Sequence, residues 1–250
     1  MIQTAVRAAK AAGKILMENY GKDNKVSVKH DLSLVTNIDA ACEEKIREII
    51  LKKYPDHSIV GEEGGDDNKE ADYKWVIDPL DGTHNFIYNI PIFGVSIGLA
   101  RNKEPIGGVI YLPPMKEVYS AEVGQGCFLN GKKLTIKDSH LKESLISISS
   151  CYFRLNSEEA RAVTRKFLNS CFEMRVSGCA VYNLSGILTN RFGVLVSRSA
   201  KDWDVAAGVV MIREAGGVAT DYQGNQWRLG SPSIVAGNKV SHKEALELLK

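Results

Sequence analysis

Two carboxylates separated by a proline and a leucine, Asp78-Pro79-Leu80-Asp81, are the residues of this chain best placed to do chemistry. Proline fixes φ at position 79 and stiffens the segment. Both acids and the Leu80 carbonyl are then able to converge on one point, and such oxygen donors suit a hard divalent cation such as Mg²⁺. Gly82-Thr83-His84-Asn85 follows directly. If it opens a helix or turn, its free N–H groups face an anion, and glycine permits close approach. The plain alternative is a polar turn capped by Thr83. That alternative leaves two acids and a rigid proline unexplained.

Further acids recur at the ends of apolar stretches, where a ligand crevice opens in an α/β protein. Glu62 and Glu63 stand in a glycine-rich acidic loop, Gly61 to Asp67. Being adjacent, they cannot both face one site from extended backbone. Asp204 lies in Asp202-Trp203-Asp204-Val205-Ala206-Ala207-Gly208. It suits either a helix N-terminus or a rigid metal ligand held by a tightly packing helix. Asp39, after Val35-Thr36-Asn37-Ile38, fits a helix start, or a base that takes a proton from Thr83 or from water. Other chemistries lack their residues. The five histidines show no HxxxH or HExxH spacing, and no GxSxG or GxxxxGK[ST] occurs. The five cysteines are odd in number with no CxxC pair, which argues against a disulfide framework or structural zinc.

The elements that must carry these residues read as follows. An amphipathic helix spans about 2–20, with Gly21 as its stop. A second runs from Thr36 or Asn37 to Lys53. Short strands are expected at 58–60, 75–77, 92–100, 106–112 and 117–121, and Asn130-Gly131 signals a hairpin. Asp78 to Thr83 reads as the turn that ends the 75–77 strand. Beyond about 140, strands at 145–149 and 193–197 alternate with helices at 157–169, 180–190 and 204–215, which favours a partly parallel α/β half. Gly216-Gly217 stops the last of these, and 243–250 forms a terminal helix. The expected division is residues 1–140, an α+β half with most of the ligands, and 141–250, an α/β half that completes the site.

At 250 residues, 44% hydrophobic and 25% charged, the chain can bury a full core and is not a disordered one. Lys plus Arg number 32 and Asp plus Glu 30, a net charge of +2. So small an excess argues against nucleic acid or an anionic membrane as partner. No apolar run is long enough to span a bilayer, and no secretion signal is visible, so a cytoplasmic location is expected.

Taken together, these motifs resemble the inositol monophosphatase family. Trp75 to Phe86 (WVIDPLDGTHNF) is similar to its signature, and Gly61-Glu62-Glu63 lies upstream at the family's spacing. Lys29 to Asp39 is similar to its KxDxSxVTxxD segment. Trp203-Asp204-Val205-Ala206-Ala207-Gly208 with Glu214-Ala215-Gly216-Gly217 is similar to its C-terminal signature. The resemblance implies a layered αβαβα sandwich of the sugar phosphatase type and a phosphate monoester hydrolase. It implies Glu62, Asp78, the Leu80 carbonyl, Asp81 and Asp204 as ligands to two or three Mg²⁺ ions, with Mn²⁺ able to substitute. It implies catalysis by Thr83 and Asp39, together with Glu62, which activate water. It places phosphate on the Gly82 and Thr83 N–H groups and substrate on Gly178, Cys179 and Ala180. Lithium sensitivity and a homodimer are also implied.

Two departures bear on substrate. Cys179 replaces the family's usual Ser or Thr, and Ser197 stands where many members place a Glu that grips inositol, with Arg198 beside it. The expected substrate is a small sugar or polyol phosphate such as inositol 1-phosphate. Fructose 1,6-bisphosphate, a nucleoside 3′,5′-bisphosphate and histidinol phosphate are the alternatives, and a dimeric regulatory binding protein is the non-enzymatic one.

Overall fold

The computed structural model describes residues 1–29, 34–67, 69–148, 158–198 and 200–250, without the side chains of 158–160. Helix α1 (Ile2–Asn19) turns small residues inward, with Ala5, Ala8, Ala9 and Ala12 fully buried, and so packs closely against α2 (Asn37–Leu51). Both lie on one face of an eight-stranded sheet. In chain order its strands are β3 (Ser58–Gly61), β4 (Gly65–Asp66), β5 (Tyr73–Asp81), β6 (Gly94–Arg101), β7 (Glu104–Leu112), β8 (Glu117–Glu122), β9 (Gly126–Leu129) and β10 (Lys132–Lys133). They are ordered β10-β9-β8-β7-β6-β5-β3-β4, antiparallel except for β3 beside β5. A small hairpin, β1 (Val26–Val28) with β2 (Leu34–Thr36), precedes α2.

A short helix α3 (Thr83–Ile87) follows β5. The second half contributes α4 (Glu158–Leu168), α5 (Ala180–Leu188), α6 (Asp202–Glu214) and α7 (Lys239–Leu249). Its five-stranded sheet has the order β12-β11-β13-β15-β14, from β11 (Leu145–Ile148), β12 (Glu173–Arg175), β13 (Val194–Ser197), β14 (Val218–Thr220) and β15 (Ile234–Gly237). Strands β12, β11 and β13 run parallel, while β15 and β14 join antiparallel, so this half is partly parallel as expected. Helices α5 and α6 lie between the two sheets, and α4 and α7 cover the outer face of the smaller one. The stacking is therefore αβαβα.

The middle layer needs close approach. A Cβ on Gly108 of β7 would stand 2.6 Å from the Ala207 Cα, so the sheet admits the small-residue face of α6 only because glycine is there. Ser96 Oγ on β6 also donates to the Trp203 carbonyl at 2.8 Å, fixing the start of α6 over the sheet.

Several boundaries differ from the sequence reading. The 75–77 strand is longer, and Asp78-Pro79-Leu80-Asp81 is its bulged end rather than a turn. Asp78 pairs with Ser96 and Asp81 with Gly94, three steps against two, which leaves one extra residue on β5. Proline, lacking an N–H, is tolerated at such a break in the ladder. The terminal helix starts earlier, at Lys239, because Asn238 caps it through Val240 and Ser241 N–H. Strands β1, β2, β4, β12, β14 and β15 are additions, β4 lying within the stretch Gly61 to Asp67 that reads as a loop. Residue 149 of the expected 145–149 strand and residue 157 of the 157–169 helix lie outside the described residues. So do residues 30–33 of the Lys29–Asp39 segment.

Candidate active site

Helix α2 begins with a capping box. Asp39 Oδ2 accepts the Thr36 N–H at 2.9 Å and the Thr36 hydroxyl at 2.6 Å. Its other oxygen, Oδ1, lies 3.3 Å from Thr83 Oγ1, which is also 3.0 Å from the Leu80 carbonyl. Capping and a link to Thr83 are thus both true of Asp39, one per oxygen. Asp39 is buried, and burial raises its pKa against the opposing Thr36 hydrogen bonds.

Asp78 and Asp81 sit on either side of the bulge in β5, and Asp204 stands in the first turn of α6. Each uses one oxygen to fix itself to backbone. Asp78 Oδ1 accepts Leu80 N–H at 3.0 Å, Asp81 Oδ2 accepts Val181 N–H at 2.5 Å, and Asp204 Oδ2 accepts Lys201 N–H at 2.8 Å. All three carboxyls are pushed up, first by burial. For Asp78 the charges of Glu62, Asp81 and Asp204 add to this, and for Asp204 those of Asp81 and Glu62. Asp81 is pushed up to about 7 by burial, against the Val181 N–H and the Cys179 thiol. Acids from β5, α6 and the loop after β3 therefore lie close enough for their charges to raise the pKa values of Asp78, Asp81 and Asp204.

Glu62 is held by its own N–H, which donates to the Ile77 carbonyl at 3.1 Å. Its carboxylate takes the Lys29 ammonium at 2.8 Å, and Glu63 takes the same group at 2.6 Å. Both glutamates therefore share one cation, an arrangement the adjacency argument did not anticipate. Burial works against the charge on Lys29, but the two carboxylates outweigh it and its pKa rises.

The segment expected to contact substrate is joined to the same place. Cys179, 2% exposed, has Sγ 3.4 Å from Asp81 Oδ2 and 3.6 Å from the Asp81 carbonyl. Asn85 Nδ2 donates to the Ile92 and Ser177 carbonyls at 2.7 and 2.9 Å, which ties α3 to Ser177-Gly178-Cys179-Ala180. Gly82 has φ +91°, a conformation that L side chains rarely adopt, and a Cβ there would stand 2.8 Å from the Ile92 carbonyl. Ser197 is buried and its Oγ accepts the Ala200 N–H, while Arg198 stands exposed beyond the end of β13. Asp39, Thr83 and the Leu80 carbonyl are thus linked in one set of contacts, Asp81 and Cys179 in another, and Glu62, Asp78, Asp81 and Asp204 act on one another by charge. Asp202 turns away, both its oxygens accepting Gly230 N–H at 2.9 and 3.0 Å.

The donors fit a hard divalent cation in kind. Among the described residues, Asp78 Oδ2 and Asp204 Oδ1 have no hydrogen-bond partner, and Glu62 already attracts an ammonium. Among the described residues, no three His, Cys, Asp or Glu side chains are closed into a ready-made metal cluster. Four cysteines, Cys42, Cys127, Cys171 and Cys179, are free thiols, and Cys151 lies outside the described residues.

This fold and this crevice, rich in acids and served by a Thr–Asp pair, define a phosphatase of the layered sugar-phosphatase class. The model of the inositol monophosphatase family matches residues 1–250, and the chain belongs to that family. It is 38% identical over 256 residues to a fructose-1,6-bisphosphatase/inositol-1-monophosphatase of Aquifex aeolicus, covering 100% of this chain and 95% of the relative. The extragenic suppressor protein suhB of Bartonella henselae superposes with a TM-score of 0.94 at 29% identity, over 100% of this chain and 98% of that one. An inositol monophosphatase from Anabaena superposes at 0.88 with 33% identity, over 99% and 94%.

Proposed function

We propose that this phosphatase uses Mg²⁺, or Mn²⁺ in its place, to hydrolyse a phosphate monoester of a small polyol or sugar, inositol 1-phosphate foremost. The observation that carries this is the convergence of Glu62, Asp78, Asp81 and Asp204 beside Thr83 and Asp39. Glu62, Asp78, the Leu80 carbonyl, Asp81 and Asp204 would hold the metal. Bound there, a divalent cation neutralises the phosphate dianion and makes water more acidic.

The chain's own residues supply the rest. Gly82 and Thr83 N–H groups hold phosphate oxygens, and the Gly82 conformation sets their direction. Thr83 Oγ1 orients the attacking water and relays its proton toward Asp39 Oδ1. Asp39 is a stronger base than a solvated carboxylate because it is buried, and its Thr36 bonds keep it aimed. Gly178, Cys179, Ala180 and Arg198 are proposed to face the organic part of the substrate. The buried Ser197 has no reach to grip an inositol ring, which leaves room for fructose 1,6-bisphosphate, a substrate in the printed name of the Aquifex relative.

Two copies are proposed to pair, supported by large apolar side chains exposed on one subunit, Tyr88 at 71%, Phe172 at 70%, and Ile90 and Val176 at 43% each. No helix among the described residues is long and apolar enough to cross a membrane, and a cytoplasmic location and inhibition by lithium complete the proposal. Turnover of inositol 1-phosphate, fructose 1,6-bisphosphate and adenosine 3′,5′-bisphosphate, with and without Mg²⁺, tests the reading. Mg²⁺-dependent phosphate release that disappears in Asp81→Asn and Asp204→Asn is expected. Near-wild-type rates in both folded variants would end it.

A further inference from the structure

Glu43 lies one turn after Asp39 on α2, between the core residues Cys42 and Ile46, and is 2% exposed. A carboxylate buried there costs free energy unless hydrogen bonds replace its water. They do. Oε2 accepts the Glu63 N–H at 2.8 Å, and Oε1 accepts the Gly64 N–H at 2.9 Å and Arg47 Nε at 2.7 Å. Arg47 also reaches past it, donating from Nη2 to the Gly65 carbonyl at 2.8 Å. The loop closes on this pair without spare room. A Cβ on Gly61 would collide with the Glu43 carboxyl, and one on Gly64 would stand 2.6 Å from Oε1 and 3.0 Å from Arg47 Nη2.

Glu62 sits between these two contacts. Behind it Gly61 abuts the Glu43 carboxyl, ahead of it the Glu63 N–H is held by that carboxyl, and its own N–H is bound to Ile77. An apolar residue at position 43 would fill the core but hold none of this backbone.

We infer that Glu43 is a positioning residue: it clamps the Glu62 loop onto α2, so that Glu62 and Asp39 are carried on one rigid support. The inference rests on the reading of Glu62 as a metal ligand and adds the group that aims it. Partners that orient metal ligands typically change metal affinity or activity about 10–100-fold when removed.

The test uses the full chain with Glu43→Gln, which keeps the shape but replaces one accepting oxygen with an NH₂ group. A second variant, Gly64→Ala, keeps the charge and presses a methyl group against it. Calorimetric Mg²⁺ titration, amide exchange at Glu63 and Gly64, and the thermal midpoint are measured on each. We expect the Mg²⁺ Kd to weaken by about tenfold or more in both, with faster exchange at the two amides. A lowered midpoint with unchanged Mg²⁺ Kd in Glu43→Gln overturns the inference, since it leaves Glu43 a merely structural residue. Where Glu43→Gln does not fold, an unchanged Kd in Gly64→Ala overturns it equally. Wild-type protein that takes up no Mg²⁺ sinks the metal reading instead. Amide exchange then decides the clamp alone, and unchanged exchange in the variants refutes it.

Discussion

Thr83 and Asp39 are 44 residues apart in sequence, yet their oxygens lie 3.3 Å apart. The Thr83 hydroxyl has a single proton and two acceptors, Asp39 Oδ1 and the Leu80 carbonyl, so it can pass a proton on while receiving another. Removing it should lower kcat roughly 10²–10⁴-fold, the usual size of a lost acid–base relay, with little change in KM. Thr83→Ala measured by steady-state phosphate release checks this, and Thr83→Ser should recover most of the rate. An unchanged kcat in Thr83→Ala would remove Thr83 from the mechanism. Cys179 gives a second residue-scale expectation. Burial, and then the Asp81 charge, raise its thiol well above the ordinary range, so it stays protonated and shielded. Native protein at pH 8 should leave Cys179 unmodified by a thiol reagent that labels it after denaturation, read by peptide mass spectrometry. Asp78, Asp81, Gly82 and Thr83 were legible in sequence because their chemistry is local to one hexapeptide. Lys29 stood out only as the first residue of a motif, without its partners, and Glu43 not at all, because those partners lie 33 and 20 residues away. The one signal for Glu43 was an acid placed on the apolar stripe of α2.

Among the elements, α6 depends most on a feature outside itself. It carries Asp204 in its first turn and rests on β6 and β7 through Gly98 and Gly108. A Cβ on Gly98 would meet the Ala206 methyl at 3.0 Å, whereas one on Gly108 would meet the Ala207 backbone at 2.6 Å. A methyl neighbour can give by a few tenths of an ångström, but a helix backbone has to move as a body. Gly108→Ala should therefore cost about 1–3 kcal/mol, as overpacking does, and Gly98→Ala less. Urea titrations of the two variants give the order, and equal losses would contradict this account of the middle layer. The helices that frame the site were legible because their apolar spacing repeats over several turns. Strand β12 was not, since Glu173-Met174-Arg175 offers no apolar run of the kind that marked the similarly short β11 and β13, and β14 and β15 stand beside stronger turn and helix signals. The bulged end of β5 read as a turn for a related reason. Pro79 and paired acids signal a break in the ladder, and sequence does not reveal that pairing resumes at Asp81.

At the scale of the whole molecule, gathering acids into a crevice sets stability against function. Asp39, Asp78, Asp81 and Asp204 all have folded pKa values above those of the open chain, Asp81 reaching about 7. Below about pH 4, the ordinary carboxylate range, both states are protonated and the acids cost nothing. Between there and about pH 7 the unfolded chain has released these protons while folded Asp81 retains its own, and Asp39, Asp78 and Asp204 are shifted in the same direction. The folded state then binds more protons, so stability falls as pH rises through this window. A divalent cation held there would reverse the slope, because it would bind only the deprotonated folded site and stabilise it with the logarithm of metal concentration over Kd. Thermal midpoints in EDTA should accordingly decline from pH 5 to pH 7.5, and added Mg²⁺ should raise them more at pH 7.5 than at pH 5. Asp204→Asn removes one of the repelling charges and should flatten the decline in EDTA while reducing the Mg²⁺ effect. A metal-free protein whose midpoint rises over that interval would show that these acids do not crowd one another in solution. The crevice would then lack the charge density on which the proposed hydrolysis depends.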